Sequence, residues 1–332
     1  MENRKVLTSA LLTAVVLTTA VCFLIWYKLN IRNEEQEPIV NANSNIQPKN
    51  YIQLLFVGDL MFDRGIRYYA EKNKGNEFIF KEIAPLLLSN DLVIANLEGP
   101  ITNNKSVSSG TVPGSTDNYF FTFDPSVSKS LFKENIRLVN LGNNHILNFG
   151  QAGLESTKEY LNDAEVDYFG APKGERSIIK NINGVRVAFV SYNEFFGNNV
   201  DDEQFSTINK IKNEKPKVDI VIVFCHWGVE YSLAPTDAIK SLAHQFVDSG
   251  ADLIIGSHSH VIGPMEEYNG LPAQAGKRIY YSLGNFVFDQ YFNEDVRNGL
   301  GVTVKIDKST KELKFDEIKF YLQKNGQTVL RE

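Results

Sequence analysis

Cysteine is nearly absent. Only Cys22 and Cys225 occur among 332 residues, one in an N-terminal apolar run and one inside an expected strand, so no disulfide framework holds this fold. Clusters of Lys and Arg are missing as well, and the net charge is −6. That excludes a groove built to neutralise nucleic-acid phosphates. No Gly-x-Ser-x-Gly elbow occurs, and no P-loop or Gly-x-Gly-x-x-Gly follows any apolar run, which removes the commonest serine-hydrolase and nucleotide-binding chemistries. Histidine is scarce too, five in all, and its placement is therefore informative.

What is present begins with a long apolar run. Arg4 and Lys5 precede Val6 to Tyr27, uncharged and long enough to cross the roughly 30 Å hydrocarbon core of a bilayer. The run continues through Phe23, Leu24, Ile25 and Trp26, past the small residues Thr19 and Ala20. It therefore reads as a retained anchor, the rival being a cleaved signal peptide. Val21 before Cys22 is a poor match to a lipoprotein cleavage site. The expected organisation is an anchor over residues 1–29 with a short cytoplasmic tail, a flexible stalk over 30–50, and a folded domain over 51–332 on the extracytoplasmic side of the cell membrane.

From Tyr51 onward short apolar runs alternate with helix-like segments. The runs are Leu54–Val57, Leu92–Ala95, Leu138–Leu141, Val187–Val190, Ile220–Phe224, Leu253–Gly256 and Ile279–Ser282. Helices are expected over Ile66–Lys72, Phe78–Ser89, Pro125–Glu134, Gly150–Ala164 and Pro235–Ser249, and a terminal β-hairpin over Val302–Ile306 and Leu313–Phe320. This alternation predicts an α/β sheet whose ligands gather beyond the carboxyl ends of the strands. Asn103–Asn118, rich in Ser, Thr, Gly and Asn, is either a border of a substrate groove or a solvated insertion.

Four of the five histidines follow an apolar run: His145, His226, His258 and His260. His258 and His260 are spaced i, i+2, which in extended backbone places both on one side. A lone histidine is most often a core or surface residue; four at strand ends, with Asp59, Glu98 and Asn144 at others, make a metal site. The mixed nitrogen and oxygen donors suit Mn, Fe or Zn ions rather than Ca or Mg, and so many ligands require two ions, with a carboxylate between them. His244 sits inside a helical pattern and stays outside the site. Cys225 and His226 are adjacent on a strand, face opposite sides and cannot form a nucleophile–base dyad, so Cys225 is a core residue. Glu230 reads either as a partner of a site histidine or general acid, or as a surface carboxylate. Arg64 either holds an anionic substrate group or faces solvent from a helix. Asp63 is a weaker candidate.

The segments Gly58-Asp59-Leu60-Met61, Asn96-Leu97-Glu98, Asn143-Asn144-His145 with Phe149-Gly150, His226 to Tyr231, Gly256 to His260, and Ser282 to Phe286 with Phe288-Asp289 strongly resemble the CapA family. These are the poly-γ-glutamate capsule biosynthesis proteins, related to calcineurin-like metallophosphoesterases. The resemblance implies a four-layer α/β/β/α sandwich of metallophosphoesterase type. It further implies a dinuclear site with Asp59 and His260 on the first ion, Glu98 where the bridging carboxylate stands, and Asn144, His226 and His258 on the second. His145 takes the place of the residue that assists the transition state, and Asn285 belongs to the surrounding or substrate-contacting set. Two departures stand out: Met61 replaces a commonly found histidine, and Asn148 an aspartate. The activity implied is metal-assisted hydrolysis of a phosphoester or of the polymer itself, with membrane proteins of capsule synthesis or export as partners. The alternative is a nonenzymatic accessory protein that binds or guides an anionic surface polymer.

Overall fold

The structure, a computed structural model, describes Trp26 and residues 49–331 apart from Glu175, 197–199 and 271–275. The expected span over 6–27 and the stalk over 30–50 fall almost wholly outside the described residues, among which no helix is long and apolar enough to cross a membrane.

Two sheets carry the folded unit. In the first, strands run in the order β14 (Thr328–Leu330), β13 (Leu313–Leu322), β12 (Asn298–Asp307), β1 (Tyr51–Leu60), β2 (Leu92–Leu97), β3 (Ile136–Asn140) and β4 (Asp167–Phe169), with β11 (Asn285–Val287) added to β1. In the second the order is β5 (Ser177–Ile182), β6 (Val185–Asn193), β7 (Ile220–His226), β8 (Leu253–Ser257), β10 (Lys277–Tyr280) and β9 (Met265–Tyr268). The central pairs β1–β2–β3–β4 and β6–β7–β8–β10 are parallel. The other sheet covers one face and helices the other, which explains why β2 and β7 read as apolar runs up to their carboxyl ends.

Three apolar clusters separate the layers. Along β1, Leu54 and Phe56 point one way and Leu55 and Val57 the other, as the two-residue period requires. Leu54, Phe56, Ile94 and Leu138 meet Val187, Phe189, Ile222, Phe224 and Leu253 between the sheets. Leu55, Val57, Val93 and Val139 pack under the helices Arg64–Lys72, Ser126–Lys133 and Gly150–Asp163 through Ile66, Leu131 and Leu154. Val221, Val223 and Ile254 pack under Val200–Glu214 and Asp237–Asp248 through Ile211, Leu242 and Phe246. Burial of some 2 kcal/mol per large aliphatic side chain across these clusters is the main force that holds the sheets face to face.

Several elements differ from expectation for local reasons. The single helix expected over Phe78–Ser89 is two short ones, Glu77–Phe80 and Ala84–Leu88, because Pro85 has no N–H and its ring would clash with the carbonyl four residues back in a continuous helix. Asp63, fully buried, is a helix cap: its carboxylate accepts from Arg64 N at 2.9 Å and Thr122 N at 2.9 Å, and pairs with Arg67 Nε at 3.1 Å. Thr236 caps the helix Asp237–Asp248 through Ile239 N at 3.2 Å.

Candidate metal centre

The site forms where the carboxyl ends of β1 and β2 face those of β7 and β8. Asp59 pairs in register with Asn96 on one side and Asn285 on the other, and His226 with Ser257. The approach is close: a Cβ on Gly58 would overlap the Gly284 carbonyl oxygen, which accepts Asp59 N–H at 3.1 Å. Only glycine lets the two strand ends meet there.

Strand β8 ends at Ser257, and the next residues are not extended. His258 (φ 92°) and His260 (φ 58°) both adopt left-handed backbone. Convergence of the two rings therefore comes from a tight loop rather than from the i, i+2 spacing of a strand, which corrects the sequence expectation.

On one side, His260 Nδ1 lies 3.4 Å from Asp59 Oδ2 and its Nε2 lies 3.6 Å from Glu98 Oε1. Asn285 sets this orientation. Its Nδ2 donates to Gln290 Oε1 at 3.0 Å and to the Val296 carbonyl at 2.9 Å, so its Oδ1 accepts from His260 Nδ1 at 3.0 Å. On the other side, His226 Nε2 is 2.8 Å from Asn144 Oδ1 and 3.1 Å from His258 Nδ1. The Ser257 hydroxyl donates to the Cys225 carbonyl at 2.9 Å, so its oxygen accepts Nδ1–H of His226 at 3.0 Å. His226 Nε2 then turns a lone pair toward Asn144 Oδ1 and His258 Nδ1.

These residues fit a metal. One ligand atom from each of Asp59, Glu98 and His226 lies within 4.8 Å of the other two. Glu98 Oε1 is buried without a hydrogen-bond partner. Burial first, then the Asp59 and Glu230 charges, hold the Glu98 carboxyl well above the usual range. Burial, with neighbouring histidines, pushes His226 well below its usual value and His258 down to about 4. Buried carboxylates crowded together beside neutral imidazoles are the arrangement a divalent cation relieves.

A model of the family described as bacterial capsule synthesis protein PGA_cap matches residues 53–290. The chain belongs to that family. It is 30% identical over 293 residues to the PGA biosynthesis protein CapA of Bacillus subtilis (strain 168), spanning 83% of this chain and 72% of that protein. It is also 30% identical over 258 residues to the capsule biosynthesis protein CapA of Bacillus anthracis, spanning 72% of this chain and 60% of that one. Among solved structures it is similar to a novel phosphatase from Mycoplasma pneumoniae, with 16% identity, a TM-score of 0.49, and coverage of 82% of this chain and 94% of that one. A likeness of that strength carries no argument about activity.

Beside the candidate ligand cluster of this PGA_cap chain, His145 places Nε2 4.0 Å from Glu98 Oε1. Its pKa is depressed to about 3, by burial first and then by His260 and His258. Phe121 packs on its ring at 4.5 Å. The Arg64 guanidinium is held by Asp289 and by Asn118, at 3.2 Å to its carbonyl and 3.1 Å to Oδ1, and lies 5.0 Å from the Phe121 ring centre. The loop Asn103–Asn118 contributes Ser108 to Thr111, Pro113 and Asn118 to the wall of a cavity of about 500 Å³, shared with Arg64, Tyr68 and Asp289. Glu230 is half-buried and acts on Glu98 through its charge. Met61 is buried, and its sulfur accepts Asp63 N–H at 3.0 Å. His244 stands apart, bonded to Glu266 at 2.7 Å and stacked on Tyr268. Cys225 is buried in the outer apolar cluster, on the face opposite His226.

Sequence reasoning passed over two groups. Asn96 donates to Asp59 Oδ1 at 2.9 Å and accepts from Asn143 Nδ2 at 3.1 Å, and Asn143 Oδ1 in turn accepts His145 N–H at 3.2 Å. An asparagine inside the apolar run Val93 to Leu97 is the signal that marks it. Phe195 packs its ring 4.2 Å from that of His258, and nothing in the local sequence points to it.

Proposed function

We propose that this PGA_cap protein is a metal-dependent hydrolase of metallophosphoesterase type, acting in synthesis or export of an anionic surface polymer. Asp59, His260 and Glu98 would hold one divalent transition-metal ion, and Glu98, Asn144, His226 and His258 a second. The observation that carries this reading is the buried, unpartnered Glu98 Oε1 set between His260 Nε2 and His145 Nε2. Bound ions would supply Lewis acidity and make water nucleophilic at neutral pH.

The chain's own residues do the rest. Asn285 and Ser257 orient the His260 and His226 rings through their Nδ1–H groups. The buried Phe121 and Phe288 wall His145 and His260 with apolar surface, which limits water there and strengthens charge interactions inside, while the exposed Phe195 lies against His258. His145 offers its Nε2 side to the oxygen on which charge develops. The cavity bordered by Arg64 and the loop Asn103–Asn118 would receive the substrate.

Anchoring through residues 6–27, a folded part on the extracytoplasmic side, and membrane proteins of capsule synthesis or export as partners belong to the same proposal. They rest on the apolar run after Arg4 and Lys5 and on the family.

A second reading, a nonenzymatic accessory protein that uses its metal to hold an anionic polymer, is favoured by Met61. It stands where a nitrogen ligand is common, and its sulfur is already used by Asp63. The two readings separate in hydrolysis of generic phosphoesters by manganese-loaded protein. The enzyme reading expects turnover that falls roughly 10²- to 10⁴-fold in His145→Ala. Equal, trace rates in both proteins would leave the accessory reading standing.

A further inference from the structure

We infer that Asn148 is a positioning residue that fixes the tautomer of His145, placing its proton on Nε2, the nitrogen that faces the metal cluster. The inference rests on the hydrolase reading for its catalytic consequence but on hydrogen bonds alone for its geometry. Asn148 Nδ2 lies 2.9 Å from the Tyr119 carbonyl and 3.3 Å from His145 Nδ1. A carbonyl only accepts, so the atom facing Tyr119 is the amide nitrogen; the flipped amide would set two oxygens against each other. The second N–H of that nitrogen then points at His145 Nδ1, which must accept. A neutral imidazole that accepts at Nδ1 carries its hydrogen at Nε2.

The surroundings hold this arrangement in place. Asn148 N–H donates to the His145 carbonyl at 2.9 Å, closing the turn that carries both side chains. Asn143 Oδ1 accepts the backbone N–H of His145 at 3.2 Å, and Phe121 lies against the ring. Nε2 is thereby aimed toward Glu98 Oε1, 4.0 Å away.

Two consequences follow for the site. His145 presents an N–H and not a lone pair to the cluster, which keeps it out of the ligand set although it stands beside Glu98. It also presents a fixed donor to an oxygen of the substrate.

The test is ¹⁵N NMR of the full chain labelled at histidine and loaded with zinc, which is diamagnetic, with His145→Gln assigning the resonance. The expected result is a protonated Nε2 and an unprotonated Nδ1 in the wild type, giving way to a mixture of the two tautomers in Asn148→Ala, whose turnover on phosphoesters falls about 10- to 100-fold through loss of the orienting partner. A wild-type spectrum with the hydrogen on Nδ1 overturns the inference whether or not any variant folds. An active wild type matched in rate by Asn148→Ala overturns the positioning role. An inactive wild type with the Nε2 hydrogen defeats the hydrolase reading while the tautomer assignment stands.

Discussion

Asn285 Oδ1 accepts from His260 Nδ1 at 3.0 Å, and this one hydrogen bond decides that Nε2 of His260 is the nitrogen turned toward Glu98. The asparagine can do this because both hydrogens of its Nδ2 are committed elsewhere, to Gln290 and to the Val296 carbonyl.

Asn285→Ala is therefore expected to weaken metal binding by about 10- to 100-fold, the usual effect of removing the group that orients a ligating imidazole. It should also cost about 1–3 kcal/mol of stability, because the Val296 carbonyl loses its buried partner. Competition of the protein with a chelator of known affinity measures the first effect, and urea unfolding the second. Unchanged metal affinity would remove Asn285 from the site.

Gly58→Ala places a methyl group on the Gly284 carbonyl oxygen. Both partners are backbone, so neither can swing aside. The expected loss is about 1–3 kcal/mol, together with lower metal content, because Asp59 follows directly on the displaced strand. Denaturant unfolding and metal analysis of the same preparation check both.

Arg64 and Asp289 form an ion pair with little solvent access. Removing the arginine alone leaves the Asp289 carboxylate with only the Gly65 N–H as partner among the described residues, so Arg64→Ala should destabilise by about 3 kcal/mol, while the double variant with Asp289→Ala recovers part of that loss. A double-mutant cycle in urea gives the coupling directly. Additive losses would show that the pair contributes nothing beyond its packing.

The metal-free protein should lose stability on acidification. His145, His226 and His258 have folded values below the ordinary histidine value, so below about pH 6.5 the unfolded chain takes up protons that the folded chain refuses. That penalty grows until the pH reaches the folded values, about 4 for His258 and about 3 for His145. Glu98 opposes it: its raised folded value means that the folded chain holds the extra proton. Three histidines against one carboxyl leave a net fall in stability as pH drops from 6.5 toward 4. Urea midpoints in excess chelator should follow this trend, and a flat profile would show that the histidines are exposed in the metal-free state.

The alternation of apolar runs and helical segments was legible because parallel strands covered on both faces have no polar side to interrupt them, as in β2 and β7. Elements without that signature were not legible. Strand β5 is half-exposed along its length, and the helix Val200–Glu214 opens with Asp201, Asp202 and Glu203 and buries few apolar residues. Histidines at strand ends stood out by position, but the left-handed backbone that brings His258 and His260 inward has no marker in a non-glycine residue. The orienting contacts of Asn96 and Asn143 depend on which strand ends become neighbours, and that is a property of the packed sheets.

The most direct test of the metal centre is elemental analysis of the purified full chain beside its His258→Ala, His260→Ala double variant. Near-stoichiometric Mn, Fe or Zn in the wild type, lost in the double variant while the fold persists by circular dichroism, is the predicted result. A wild type that holds no transition metal, even after incubation with each ion, would contradict the assignment of Asp59, Glu98, Asn144, His226, His258 and His260 as ligands.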